Sequence, residues 1–119
     1  MGEKFRAMVE ANDLAKGPLM LTLDSTTSTY QMKPGDQLVI ATSSVADGSG
    51  IITLPSLNEA AGKFYFIVAP TGAAGGDISL YEKETGSELS TYGDLDADDD
   101  HVLLFSDGTA WRVVLDGVA

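Results

Sequence analysis

The sequence predicts an all-β fold: a β-sandwich or barrel of about eight short antiparallel strands, with one short helical turn and an N-terminal arm. Runs rich in β-branched and aromatic residues alternate with clusters of Gly, Asp, Ser and Pro. After residue 16, no stretch is long and periodic enough for a helix. The predicted strands are Leu19–Asp24, Ser28–Met32, Gln37–Thr42, Gly50–Leu54, Lys63–Ala69, Asp77–Tyr81, His101–Phe105 and Ala110–Leu115. Their regular spacing favours a sandwich or barrel over alternating β and α units.

The last two predicted strands are expected to form a hairpin. The runs HVLLF and AWRVVL flank the four residues Ser106–Thr109. Asp107 and Gly108 form the dipeptide preferred at the centre of a type I′ turn, so we expect a tight turn of that type.

The helical turn is predicted between the fourth and fifth strands. Ser56 and Glu59 have the spacing of a capping box and follow Pro55. Gly62 comes after them and suits the left-handed position that ends a helix. We expect this single turn to close one end of the core.

Residues 1–18 are predicted to form an arm or a first element, and residues 19–119 a single β domain. Around Phe5 and Val9, apolar and polar residues alternate as in a strand. Phe5, Met8 and Val9 would also share one face of a helix. A Gly-Pro pair separates this segment from the body. Two interpretations therefore stay open: an arm that docks on a partner, or an ordinary first element of the domain.

The charge of the chain argues against nucleic-acid binding, and the length of its apolar runs argues against a membrane partner. The net charge is −11, from 18 acidic and 7 basic residues, and all of the excess falls in residues 36–119. Such a surface repels phosphate backbones, so we expect no nucleic-acid binding. No apolar run approaches the length of roughly 20 residues that spans a bilayer, so we expect no membrane partner. The acidity also serves solubility.

No group of residues predicts catalysis. The chain has no cysteine, and His101 is its one histidine, expected to be a solvated or edge-strand side chain. There is no G-x-S-x-G motif, and the glycine-rich stretch Thr71–Gly76 lacks the Lys-Ser/Thr of a phosphate-binding loop. We therefore expect a protein that is not an enzyme, with no catalytic residues and no cofactor.

An acidic run, residues 93–100, is the one candidate metal site. Asp94, Asp96 and Asp98 have the spacing of the first, third and fifth positions of an EF-hand loop. Asp99 stands where that loop needs Gly and Phe105 where it needs Glu, so an EF-hand is excluded. A loose Ca²⁺ site and a solvated acidic loop both remain open.

Four aromatic residues are expected in the core rather than in a ligand site. Trp111 lies in the last predicted strand, and Phe64, Phe66 and Phe105 lie in two others. Large aromatic side chains in strands more often fill a core than stack on sugars or bases.

From about Gly48 to Ala119, three segments occur in the order IITLPSLNEAAGKFYFIVAP, DISLYEKETGSEL and LLFSDGTAWRVV. This part of the chain resembles a recurrent β module of tailed-phage structural proteins. Such modules occur in capsid decoration (cement) proteins, head fibres and some tail-fibre segments. The resemblance implies a β-sandwich or barrel that associates as a homotrimer.

The resemblance implies a virion structural protein, most like a capsid decoration protein or a head-fibre protein. A decoration protein would be made in the host cytoplasm, bind the major capsid protein on the outer surface of the head and stabilise the expanded shell. The alternative is a receptor- or glycan-binding head-fibre or tail-fibre module that uses the loops Thr71–Gly76 and Glu84–Asp100. A fibre normally needs a long shaft or a collar, so a chain of 119 residues favours decoration.

The predicted shell contact is the N-terminal segment Gly2–Lys16, which has no net charge. An extended segment of this kind can add a strand to an exposed sheet edge of a partner. The side chains expected to make the apolar contact are Phe5, Met8, Val9 and Leu14.

Overall fold

The computed structural model describes residues 17–45, 50–71, 77–89 and 93–118, which form two β-sheets. The predicted arm lies outside the described residues, apart from Gly17 and Pro18. The strands are β1 (Leu19–Leu23), β2 (Thr29–Gln31), β3 (Leu38–Ser43), β4 (Gly50–Thr53), β5 (Phe64–Ala69), β6 (Ile78–Tyr81), β7 (Asp94–Leu95), β8 (Asp100–Ser106) and β9 (Trp111–Gly117).

The first six strands alternate between the two sheets. One sheet has the order β1-β3-β5-β8-β9 and the other the order β2-β4-β6-β7. In each sheet the strands of this first part run parallel, with Leu19 opposite Val39 and Leu38 opposite Phe66 in the larger sheet. Strands β7, β8 and β9 are antiparallel to their neighbours. The described chain therefore passes back and forth between the two sheets through its first six strands and ends in an antiparallel hairpin.

The prediction of an all-β fold is confirmed, and the sandwich is the better of the two predicted forms because neither sheet closes into a barrel. The prediction that the strands are all antiparallel is wrong. Parallel neighbours in one sheet usually need a long crossover connection. Here the crossover between two parallel neighbours includes a strand of the opposite sheet. The turn into that strand can therefore be short, as residues 24–28 between β1 and β2 show.

The core lies between the sheets and follows the two-residue period of the strands. In β3, β5 and β8 every second side chain is buried, and these side chains meet buried residues of β4, β6 and β7. Tyr65 and Trp111 pack edge to face with their ring centroids 5.6 Å apart. Full burial of one large apolar side chain contributes about 1.5 to 3 kcal/mol.

The predicted helical turn is present. The Ala60 N–H donates to the Ser56 carbonyl over 3.0 Å, and the Glu59 N–H donates to Ser56 Oγ over 3.2 Å. Gly62 has a φ of +79°, the left-handed conformation expected after such a turn. The Gly62 N–H donates to the Ser106 carbonyl, which fastens the turn to the end of β8.

The hairpin between β8 and β9 is present, but the type I′ turn is a wrong prediction. Ser106 pairs with Trp111, so the loop has the four residues 107–110, and only Gly108 of its Asp-Gly pair has positive φ. Oδ1 of Asp107 accepts the N–H groups of Thr109 and Ala110, each over 2.8 Å. These bonds, with that of Arg112 to Oδ2, hold the pKa of Asp107 well below its usual range. The side chain thus substitutes for the tight backbone turn.

Candidate functional site

The outer face of the five-stranded sheet is apolar. Because buried and partly exposed residues alternate along β3, β5 and β8, the partly exposed side chains point away from the smaller sheet. We call the following nine side chains the apolar face: Met20, Leu38, Ile40, Phe64, Phe66, Val68, Leu103, Phe105 and Leu115.

Strand register makes this face continuous. One row crosses four strands through Leu38, Phe66, Leu103 and Leu115. The next row runs through Met20, Ile40, Val68 and His101. Side chains directly opposite each other in neighbouring strands are in contact range, so the first row is an unbroken apolar strip and the second is apolar up to His101.

Aromatic contacts join the rows. The rings of Phe64 and Phe105 have centroids 4.9 Å apart, and the rings of Phe66 and His101 stack at 5.7 Å with 6° between their planes. At the two edges of the sheet the face is most open, since Met20 is 68% exposed and Leu115 is 47% exposed.

The structure therefore corrects part of the aromatic prediction. Trp111 lies in the core, as predicted, with 9% of its surface exposed. The apolar face instead holds Phe64, Phe66 and Phe105. Side chains alternate along a strand, so these three point away from the core that contains Tyr65. His101 is half-buried on β8, which lies inside the sheet rather than at its edge.

Among the described residues, the outward positions of the five strands hold no carboxylate, although Oδ2 of Asp107 lies 2.8 Å from Nε of Arg112 at one of these positions. Besides the apolar residues, the outward positions of its five strands hold Thr22, Thr42, His101, Arg112 and Gly117. The one aspartate within β8, Asp100, points inward, is 1% exposed and accepts two backbone N–H groups through Oδ2. On a chain of net charge −11, this face is unlike the rest of the surface.

The outer face of the four-stranded sheet has the opposite character. One row there holds Thr29, Ile51, Ser79 and Asp94, and the other holds Gln31, Thr53 and Tyr81. A sheet with one face on the core and one in water normally shows such polar outer positions. The apolar face is therefore a local feature of one sheet and not a property of the whole chain.

The candidate metal residues are only partly brought together. Carboxylate oxygens of Asp77, Asp94 and Asp96 lie within 4.8 Å of one another, and Asp98 is not one of these three. The cause is strand pairing, since Asp94 lies opposite Ser79 in β6 and Asp77 directly precedes that strand. Ca²⁺ accepts clustered carboxylates. Exposed acidic groups are also common without an ion, so the two alternatives, a loose Ca²⁺ site and a solvated acidic loop, both stay open.

An open groove lies beside the start of β1 and β3. It has a volume of about 180 Å³ and is lined by residues 17–19 and 35–38. Nearby, the Tyr30 hydroxyl donates to Oδ2 of Asp36 over 2.6 Å. Burial, and then this hydrogen bond, raise the pKa of Tyr30 to about 12, so the phenol stays protonated at neutral pH. Among the described residues that line the groove, Asp36 is the one acidic or basic residue.

His101 has no catalytic partner among the described residues. Its Nδ1 lies 2.8 Å from the backbone carbonyl oxygen of Asp99, and its ring stacks on Phe66. A general base needs a nucleophile or a carboxylate that orients it. That the chain is not an enzyme stays a prediction.

The predicted shell-contact side chains Phe5, Met8, Val9 and Leu14 lie outside the described residues. Their role therefore stays a prediction. In the part of the chain that the structure covers, no helix has the length and apolarity to cross a bilayer.

No family model, no curated protein and no solved structure matches this chain. The function is therefore argued from the apolar face and from the residues of the sequence.

Proposed function

We propose that this chain is a virion structural protein, a capsid decoration (cement) protein that binds the outer surface of a phage head. The observation that carries the proposal is the apolar face, a broad surface suited to contact with another protein. Met20 and Leu115 are exposed and the other seven side chains of the face are partly exposed. Contiguous apolar patches that reach the surface mark interaction sites in proteins.

The resemblance to phage structural modules supports the same proposal. The first segment supplies β5 and most of β4, the second contains β6, and the third covers parts of β8 and β9. Strands β5, β8 and β9 are neighbours in the larger sheet and carry most of the apolar face. The part of the chain that resembles those modules is therefore also the part that builds the proposed binding surface.

The mechanism is preferential binding to one state of the shell. A ligand that binds only the assembled, expanded lattice of the major capsid protein stabilises that lattice by RT ln(1 + [L]/Kd) for each site. This amounts to about 2.7 kcal/mol per site at a hundredfold excess over Kd. Because a shell repeats the site many times, a modest affinity per site gives a large total against the outward pressure of packed DNA.

We propose that the N-terminal segment Gly2–Lys16 contacts the shell beside the apolar face. Phe5, Met8, Val9 and Leu14 supply its apolar side chains, and the segment carries no net charge. Pairing with an exposed strand of the shell protein would provide backbone hydrogen bonds that offset the cost of ordering the segment.

Removal of residues 2–16 tests this assignment. We expect the truncated chain to lose shell occupancy while its β domain still unfolds cooperatively on heating. Mixing each protein with expanded, undecorated shells and counting bound copies after sedimentation gives the measurement. A matched control replaces Lys4 and Lys16 by alanine, which changes charge and leaves the four apolar side chains. Full occupancy by the truncated chain would refute the assignment.

A further inference from the structure

We infer that the N-terminal segment Gly2–Lys16 covers the apolar face of its own chain while the protein is free, and that the shell displaces it. In solution, the occupant of the face is therefore a segment of the same molecule. Only the displacement rests on the proposed function, because the cover itself needs no shell.

The apolar face needs a cover in water. Its nine apolar side chains lie in adjoining rows across the larger sheet, and the face is most open at Met20 and Leu115, at its two edges. A contiguous apolar surface of this kind is an aggregation liability for a free protein. A segment tethered to the sheet meets the face at an effective concentration on the order of millimolar, far above that of a dilute partner. The segment of the same chain is therefore the occupant that competes best.

The segment joins the body at the edge of the face. It ends at Lys16, and Met20 follows four residues later in β1, an edge strand of the larger sheet. Between them, Gly17 has a φ of +86°, the left-handed conformation that glycine adopts in tight turns and at the ends of helices. A Cβ at Gly17 would meet nothing within 4 Å, so the backbone conformation, and not close packing, calls for glycine. The chain thus changes direction immediately before β1, and the segment can fold back over the sheet.

The segment is long enough to cross the face. Five strands about 4.8 Å apart place β1 and β9 about 19 Å from each other. The residues of Gly2–Lys16 span about 22 Å as a helix, at about 1.5 Å per residue, and more as an extended strand. In either conformation the segment reaches from β1 to the far edge of the sheet, so the whole row from Leu38 to Leu115 lies within its reach.

The charge of the segment also suits the face. Gly2–Lys16 has no net charge, whereas the whole excess of negative charge, −11, lies in residues 36–119. The body therefore does not repel the segment as it would repel a second copy of the body. Among the described residues, the outward positions of the larger sheet hold no carboxylate, so apolar contact there buries no acidic group of the sheet. The outer face of the smaller sheet carries Asp94 and is less suited to such a contact.

The segment cannot cover the face and contact the shell at one time, because both contacts use the same side chains, Phe5, Met8, Val9 and Leu14. Binding to the shell therefore exchanges one contact for another. The segment leaves the face, the shell protein takes its place, and the segment contacts the shell beside it. While the segment is in place, the affinity of the face for any partner is reduced in proportion to the fraction of chains with an open face. A shell that binds both the face and the segment is thus favoured over small apolar surfaces.

Thiol reactivity of the full chain tests the cover. The chain has no cysteine, so Leu103→Cys places a single thiol on the apolar face and Thr53→Cys a single thiol on the outer face of the smaller sheet. Each is made with the native segment and with a segment that carries Phe5→Asp and Val9→Asp. We expect the native segment to slow modification of the thiol at position 103 at least tenfold. The thiol at position 53 should react at one rate in both forms.

A disulfide measurement keeps the inference falsifiable if the aspartate substitutions disturb folding. Val9 lies on the same side as Phe5 both in a helix and in a strand, so Val9→Cys combined with Leu103→Cys brings two thiols together under the cover. Under mild oxidation in dilute solution, we expect a disulfide within one chain of 12.5 kDa. The matched control, Val9→Cys with Thr53→Cys, should stay reduced.

Equal reactivity of the thiol at position 103 with both segments would overturn the inference, and so would the absence of a disulfide within one chain. Protection that disappears on dilution would also overturn it, because a second copy would then be the cover. The shell gives a separate result. We expect the disulfide between positions 9 and 103 to abolish shell occupancy and its reduction to restore it. Full occupancy by the oxidised chain would refute the displacement, whereas a covered chain that never binds shells would refute only the proposed function.

Discussion

At the scale of single residues, Tyr65 shows how one polar group is accommodated in the core. Its side chain is fully buried, and its hydroxyl donates to the Pro34 carbonyl over 2.7 Å. Burial raises the pKa of Tyr65 to about 12, with smaller contributions from the negative charges of Asp36 and Glu59. The folded state therefore favours the protonated form of the Tyr65 phenol.

We predict that Tyr65→Phe lowers the free energy of unfolding by about 1 to 2 kcal/mol at pH 7, because the buried Pro34 carbonyl loses its donor. The substitution also changes the pH dependence. In the native protein the folded pKa is the higher one, so the contribution of this phenol is complete below pH 10. It is lost as pH rises towards 12, on the order of 2 kcal/mol.

Urea unfolding of both proteins between pH 7 and pH 12 measures the effect. The difference in unfolding free energy should shrink above pH 10, since ionised Tyr65 no longer favours the folded state. Tyr30 titrates in the same range and remains in both proteins, so it cancels in the comparison. A difference that stays constant up to pH 12 would contradict the buried hydrogen bond.

At the scale of elements, the positions of the strands could be predicted from the sequence, but their order could not. Each of the eight predicted runs overlaps one strand, and the ends differ by at most two residues. The two-residue strand Asp94–Leu95 was missed because it lies within an acidic run and is too short to show a period. Parallel order was missed because alternation between two sheets gives the same short turns as a series of hairpins.

The apolar face was missed for a related reason. Along β5 the sequence reads Phe64 to Ala69 with almost no polar residue, so both faces of the strand look like core. Only the position of the smaller sheet shows that Tyr65 and Ile67 point inward while Phe64 and Phe66 point outward. One signal was present in the sequence, namely that a strand apolar on both faces needs cover on both.

At Gly93, the residue before β7, the backbone lies close to the backbone of β6. A Cβ at this position would lie 2.8 Å from the Leu80 carbonyl oxygen, which cannot move without disturbing β6. We predict that Gly93→Ala lowers the free energy of unfolding by about 1 to 3 kcal/mol through overpacking. Thermal or urea unfolding measures the loss.

Gly35→Ala is the matched control, since a Cβ there would meet nothing within 4 Å. A change within about 0.5 kcal/mol is expected for this substitution. Equal stability of the two variants would contradict the described packing of β7 on β6.

At the scale of the whole molecule, the order of the strands in the two sheets explains why the two outer faces differ. The first six strands alternate between the two sheets, whereas both strands of the final hairpin, β8 and β9, belong to the larger sheet. That sheet gains Leu103, Phe105 and Leu115 on its outer side. One face of the molecule is therefore broad and apolar, and the opposite face carries more polar residues, among them Thr29, Gln31 and Thr53.

In the proposed decoration protein, the apolar face and the N-terminal segment would both contact the shell. Apart from the buried Asp100, the described acidic residues are exposed or partly exposed, so they would keep the outer surface negative and soluble.

The most direct test is to image phage particles purified after an infection in which this chain is made, and to count and locate its copies. The account predicts many copies over the whole outer surface of the head. A few copies at a single vertex or on the tail, or none on the particle, would contradict it.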